Sequence, residues 1–74
     1  MILPTKHIRA NHALIGVGAL LLQYLNRPQT VSGLWEQVKD FPSMGSYERF
    51  ILGLDMLHII GTVEISDGML ERMV

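Results

Sequence analysis

Apolar positions along the chain fall into three runs with helical spacing and one stretch that alternates. The first run extends from Asn11, a plausible helix cap, to Asn26. Its polar or small positions are His12, Gly16, Ala19, Gln23 and Asn26, and nearly everything else is apolar. A helix so apolar is buried on most sides. Gly16 and Gly18 each cost about 1 kcal/mol of helix propensity relative to alanine. That cost is tolerable where another backbone comes close, either within the domain or in a protein–protein contact. Arg27-Pro28-Gln29 ends the run. The second run starts after Thr30, a suitable cap, and places Val31, Leu34, Trp35 and Val38 on one face, reaching to about Lys39. Trp35 reads as a core residue, with a stacking platform as the other reading. The third run, Ser46 to Gly61, is the one around which the chain is organised. Ser46 can cap it, and Gly61 stands where a left-handed residue closes a helix. Phe50, Leu54, Leu57 and Gly61 share a face, with Tyr47 and Ile51 beside them. Leu52, Met56 and Ile59 lie on the opposite side, interrupted by Glu48 and Asp55.

Thr62 to Ser66 alternates as a strand does, with Val63 and Ile65 expected to face inward. Asp67-Gly68 is a hairpin-turn signal, and Met69 to Val74 is the return strand. A two-residue loop sets Glu64 against Glu71, an unfavourable pair. A three-residue loop sets Glu64 against Arg72 and Val63 against Met73, and this is the register we favour. The fold expected is mainly α with a C-terminal β-hairpin: a small winged helix-turn-helix-like domain of three helices plus a wing, spanning residues 11–74. The turn Asp40 to Gly45 is longer than the three or four residues usual in a helix-turn-helix.

Residues 1–10 form an N-terminal arm. Pro4 disfavours helix at Leu3, Ile2, Leu3 and Ile8 are apolar, and Lys6, His7 and Arg9 are polar. The arm reads either as a solvated lead-in with hydrophobic anchors or as a docking segment.

Composition sharpens this picture. The chain has 74 residues, 49 % hydrophobic and only 18 % charged. A domain of this size buries only about 60 % of its unfolded surface, so part of that apolar excess is expected outside, where patches mark contact sites. The formal net charge is −1, which gives no sign of a polyanion as main partner. The absence of cysteine excludes disulfides and thiol chemistry and fits a cytoplasmic protein. Pro4, Lys6, His7 and Arg9 ahead of the apolar run, with no cleavage site beyond it, give no signal peptide. Ala13 to Leu22 is shorter than the roughly 20 residues a membrane span needs.

Candidate chemistry is sparse. His7 and His12 are five apart, poor ligand spacing, and His58 can at most meet Asp55 on the helix surface. No metal site, cofactor or catalytic residue is expected. Gly16-Val17-Gly18 lies within a helix and lacks the strand and lysine of a phosphate loop. The five methionines are core filler or, if exposed, an adaptable binding surface.

The opening Ile2-Leu-Pro-Thr-Lys-His-Ile8, the run Leu14-Ile-Gly-Val-Gly-Ala-Leu-Leu-Leu22, Pro28-Gln-Thr-Val31 through Leu34-Trp35, Phe50-Ile-Leu-Gly-Leu-Asp-Met-Leu57, Ile60-Gly61 and Asp67-Gly68 together resemble middle component 6 of bacterial ABC-three-component systems. The likeness covers nearly the whole chain, and its opening is the most specific part. The resemblance implies a small winged-helix-like adaptor, encoded beside an SMC/Rad50/RecN-like ATPase and a variable effector, in defence against phage or other foreign DNA. It brings no catalytic residue. Gly53 stands where that pattern leads us to expect alanine, which would loosen the helix locally.

Two readings of function follow. In the first, the chain is a non-enzymatic adaptor, with Leu3, Lys6, His7, Leu52, Met56 and Ile59 as partner-binding residues. In the second, it is a DNA-binding regulator, using Arg49 on the third helix and Lys6, Arg9 or Arg27 on phosphates. The third helix argues for the first: a DNA reader offers Arg, Lys, Asn or Gln to base edges, whereas this one offers leucine, methionine and isoleucine. The wing tip carries Asp67 and no nearby Lys or Arg to hold phosphate. A homodimer through the first helix fits either reading, and an antitoxin-like partner role is a weaker third.

Overall fold

The computed structural model describes the backbone of residues 5–74 and the side chains from residue 13 onward. The elements are α1 (Thr5–Tyr24), β1 (Gln29–Thr30), α2 (Val31–Val38), α3 (Tyr47–Ile59), β2 (Val63–Ser66) and β3 (Met69–Arg72). The strands form one antiparallel sheet in the order β1-β3-β2. Among the described residues, three helices with a small sheet built on a C-terminal hairpin are compatible with the winged-helix-like plan expected from the sequence.

The caps at α2 and α3 are those the sequence indicates. Thr30 Oγ1 accepts the Gly33 N–H at 3.0 Å, and Ser46 Oγ accepts the Arg49 N–H at 3.2 Å. Helix α3 closes with Gly61 at φ +83°, where the Thr62 N–H donates to the Leu57 carbonyl and the Gly61 N–H to the His58 carbonyl. This is the Schellman arrangement that glycine permits.

The start of the first helix differs from expectation. Helix α1 begins at Thr5, so Asn11 lies inside it and is not a cap, and residues 5–10 continue the helix backbone. Thr5 to Ala10 contains no helix breaker, and Lys6, Arg9 and Ala10 are good helix formers.

The core gathers Val17, Leu21 and Leu25 of α1 and the turn after it, Leu34 and Val38 of α2, Met44, Phe50, Leu54 and Leu57 around α3, and Val63 and Leu70 of the hairpin. Each large apolar side chain so buried contributes about 1.5–3 kcal/mol. Met44 explains the long turn between α2 and α3: the loop drops a fully buried side chain into the core before Gly45, at φ +79°, redirects the chain. Trp35 is half-buried against the core. It packs edge-on to Tyr47 at 5.1 Å between ring centroids and lies at the same distance from Phe50.

The hairpin register is the other correction. Glu64 pairs with Glu71, Val63 with Arg72 and Ile65 with Leu70, so the loop is the two-residue Asp67-Gly68. Both loop residues have positive φ, 51° and 75°, the combination that matches the twist of a tight hairpin. Magnitudes explain the outcome. An opposed pair of exposed glutamates costs at most about 1 kcal/mol. Burial of Leu70, which is complete in this register, is worth roughly 1.5–3 kcal/mol. Val63 faces inward as expected. Ile65, expected inward as well, is 39 % exposed near the wing tip.

Strand β1, two residues long, was too short for alternation to reveal. Gln29 pairs with Leu70 and Thr30 with Met69.

Candidate docking face

Helix α3 leans on α1 through two glycines. A Cβ at Gly53 would stand 2.6 Å from Val17 Cγ1, and a Cβ at Gly18 would stand 2.6 Å from Met56 Cε and 3.2 Å from Leu57 Cδ2. Each helix therefore lends a missing side chain to the other. Gly53 does not interrupt α3, which runs unbroken from Tyr47 to Ile59. The close approach anticipated at Gly16 and Gly18 occurs at Gly18 alone. Gly16 is exposed and meets nothing within 4 Å.

With Phe50, Gly53, Leu54 and Leu57 turned inward, the opposite stripe of α3 is fixed. Glu48, Leu52, Asp55 and Ile59 are all exposed, at spacings of four, three and four residues. Leu52 is 47 % exposed and Ile59 82 % exposed. Met56 sits at the edge of this stripe, half-buried, with its terminal methyl over Gly18. The structure thus places Leu52 and Ile59 on an outward ridge and Met56 on the shoulder between that ridge and α1. Ile60, 62 % exposed, extends the apolar end, a residue the sequence reading left out. On α1, Ile15 is exposed one turn before Gly18, and Leu22 is half-buried.

Arg49 does not project from the helix. Its side chain lies back over Gly45, with Cδ and Nη1 each 3.1 Å from where a Gly45 Cβ would be. Arg72 is likewise engaged. Its Nη1 donates to the Leu22 carbonyl at 3.0 Å and its Nε to the Val74 carbonyl at 2.8 Å. Gln29 Nε2 donates to the Tyr24 carbonyl at 2.8 Å, and Gln29 Oε1 accepts from Gln37 Nε2. The sheet strands therefore satisfy carbonyls that the end of α1 leaves without intrahelical partners, and the Arg72 charge suits that helix end.

The electrostatics of this half of the molecule are one-sided. Residues 46–74 carry five carboxylates, Glu48, Asp55, Glu64, Asp67 and Glu71, against the two guanidinium groups of Arg49 and Arg72. All five acidic residues are exposed. Among the described residues the one ion pair is Lys39–Glu36, at 2.9 Å, remote in sequence from all five. The Glu36 hydrogen bond and charge hold the Lys39 ammonium above its usual pKa.

Other candidate features are modest. His58 is exposed, and no hydrogen bond joins it to Asp55 among the described residues. Among the described residues no group of three or more His, Cys, Asp or Glu is placed to hold a metal ion, and no polar or charged side chain is buried. No helix among them is long and apolar enough to cross a membrane. A groove of about 370 Å³ is lined by Leu25 to Pro28 and by Glu71, Arg72 and Val74. Leu3 lies outside the described residues, as do the side chains of Lys6, His7 and His12.

A family model described as ABC-three component (ABC-3C) system Middle Component 6 matches residues 3–74. A search of curated proteins and a search of solved structures each found no match.

Proposed function

Because the chain belongs to the Middle Component 6 family of ABC-three component systems, we propose that it is a non-enzymatic adaptor subunit. It links an SMC/Rad50/RecN-like ATPase to a variable effector in the cytoplasm, in defence against phage or other foreign DNA. The observation that carries this reading is the outward ridge of α3. Leu52 and Ile59 are exposed on the helix that a winged-helix DNA reader would present to bases. Large apolar side chains exposed two turns apart on one helix face suit protein docking. Met56, at the shoulder, supplies an adaptable side chain that can repack against a partner. Leu3, Lys6 and His7 are proposed as a second contact with the assembly, and α1 as the face of any homodimer.

The experiment is coexpression of the tagged chain with its native genomic neighbours. Ile59→Asp should abolish recovery of the ATPase while the isolated domain keeps its helical circular dichroism and unfolding midpoint. Ile59 makes few contacts, so its replacement tests the surface without breaking the core. Undiminished association of a folded Ile59→Asp protein would rule out α3 as the interface.

A further inference from the structure

We propose that the α3 ridge receives a lysine- or arginine-bearing amphipathic helix of the partner protein. This inference rests on the docking role of α3 and adds the chemistry of what docks there.

The ridge alternates charge and hydrocarbon: Glu48, Leu52, Asp55, Ile59. From Glu48 to Ile59 it covers three helical turns, about 16 Å at 1.5 Å per residue. Leu52 and Ile59 are seven residues apart, two turns along one face. A partner helix laid alongside presents apolar residues at the same interval, with charged positions between them. Complementarity requires those positions to be basic. An acidic or neutral partner helix would bury Asp55 beside like charge, or without a counter-charge, and such burial is costly.

A second observation points the same way. Glu64 and Glu71 stand directly opposite each other on the hairpin, both exposed. No described cation forms an ion pair with either, nor with Glu48 or Asp55, since the described ion pair is Lys39–Glu36. The register that buries Leu70 leaves this repulsion in place. Nucleic acid brought to the wing would compound it. The helix and the wing that follows it thus carry the same sign of charge, with both of their arginines turned to intramolecular contacts, Arg49 over Gly45 and Arg72 onto carbonyl oxygens.

The test uses the full chain, labelled with nitrogen-15, and two designed 18-residue helical peptides. One has a leucine stripe flanked by lysine, and the other has the same stripe flanked by glutamate. The lysine peptide should shift amide resonances of residues 48–60 and bind at least tenfold more tightly than the glutamate peptide. The Glu48→Lys/Asp55→Lys protein should reverse that preference. Equal affinity for the two peptides, or shifts confined to α1 or to the groove beside Arg27, would overturn the inference. The docking role is separated from it in the coexpressed complex. If Ile59→Asp abolishes association while Glu48→Lys/Asp55→Lys leaves it intact at all salt concentrations, α3 docks its partner by hydrocarbon alone and the basic-helix assignment is wrong. If neither variant affects association, both readings fall.

Discussion

Val17 of α1 occupies the space that a side chain at Gly53 of α3 would need: the missing Cβ would lie 2.6 Å from Val17 Cγ1. The reciprocal contact, Gly18 beneath Met56 and Leu57, locks the same two helices from the other side. Three glycine-to-alanine substitutions should therefore behave differently, although each gains about 1 kcal/mol of helix propensity. Gly16→Ala, into open space, should raise the melting temperature by several degrees. Gly18→Ala meets the movable end of Met56 and should be close to neutral. Gly53→Ala meets a fully buried β-branched side chain that cannot turn away. Overpacking of about 1–3 kcal/mol then outweighs the gain. Its melting temperature should fall by roughly 4–8 °C per kcal/mol of net loss. Thermal unfolding of the three variants checks the order.

The wing register makes its own prediction. With Glu64 opposite Glu71, Glu71→Lys replaces a like-charge pair by an opposite-charge pair. It should stabilise the domain by about 0.2–1 kcal/mol at low ionic strength, and the gain should shrink in high salt. In the three-residue-loop register, Glu64 would face Arg72 and the same change would bring no such gain. Urea unfolding at two salt concentrations distinguishes them.

Arg72 spans fifty residues to reach the Leu22 carbonyl. Arg72→Ala should cost about 1 kcal/mol, since water can replace part of these exposed hydrogen bonds. Arg72→Lys should recover only part of the loss, because one ammonium cannot reproduce the two-directional reach of a guanidinium. The shift in urea midpoint measures both.

The sequence was legible where local chemistry decides the outcome. Thr30, Ser46 and Gly61 mark helix ends through bonds to residues within a few positions, and the faces of α2 and α3 follow from apolar spacing. The start of α1 was obscured because Asn11 is a good cap that the helix passes through when nothing upstream breaks it. The register does not follow from the repulsive surface pair, because burial of Leu70 outweighs it. Strand β1 has too few residues to show a period. The purpose of Gly53 and the reach of Arg72 depend on elements distant in sequence, so no local pattern could reveal them. At the docking face, Leu52 and Ile59 could be read from the spacing on α3. The half-burial of Met56 could not, because it depends on Gly18.

The regulator reading is tested with duplex DNA. A reader that neutralises several phosphates loses affinity with a slope of about −0.9 per phosphate in log–log salt titrations. An acidic α3 and wing predict no measurable duplex binding by the isolated chain at physiological salt. A steep salt-dependent affinity, lost in Arg49→Ala, would contradict this.

The most direct measurement is recovery of partners from cells expressing the tagged chain with its genomic neighbours, compared between the unaltered protein and Ile59→Asp, with mass spectrometry of what is bound. The account predicts a large coiled-coil ATPase in stoichiometric amount with the unaltered chain and its loss with the variant. Recovery of specific DNA and no protein, or of the ATPase equally with both, would contradict it.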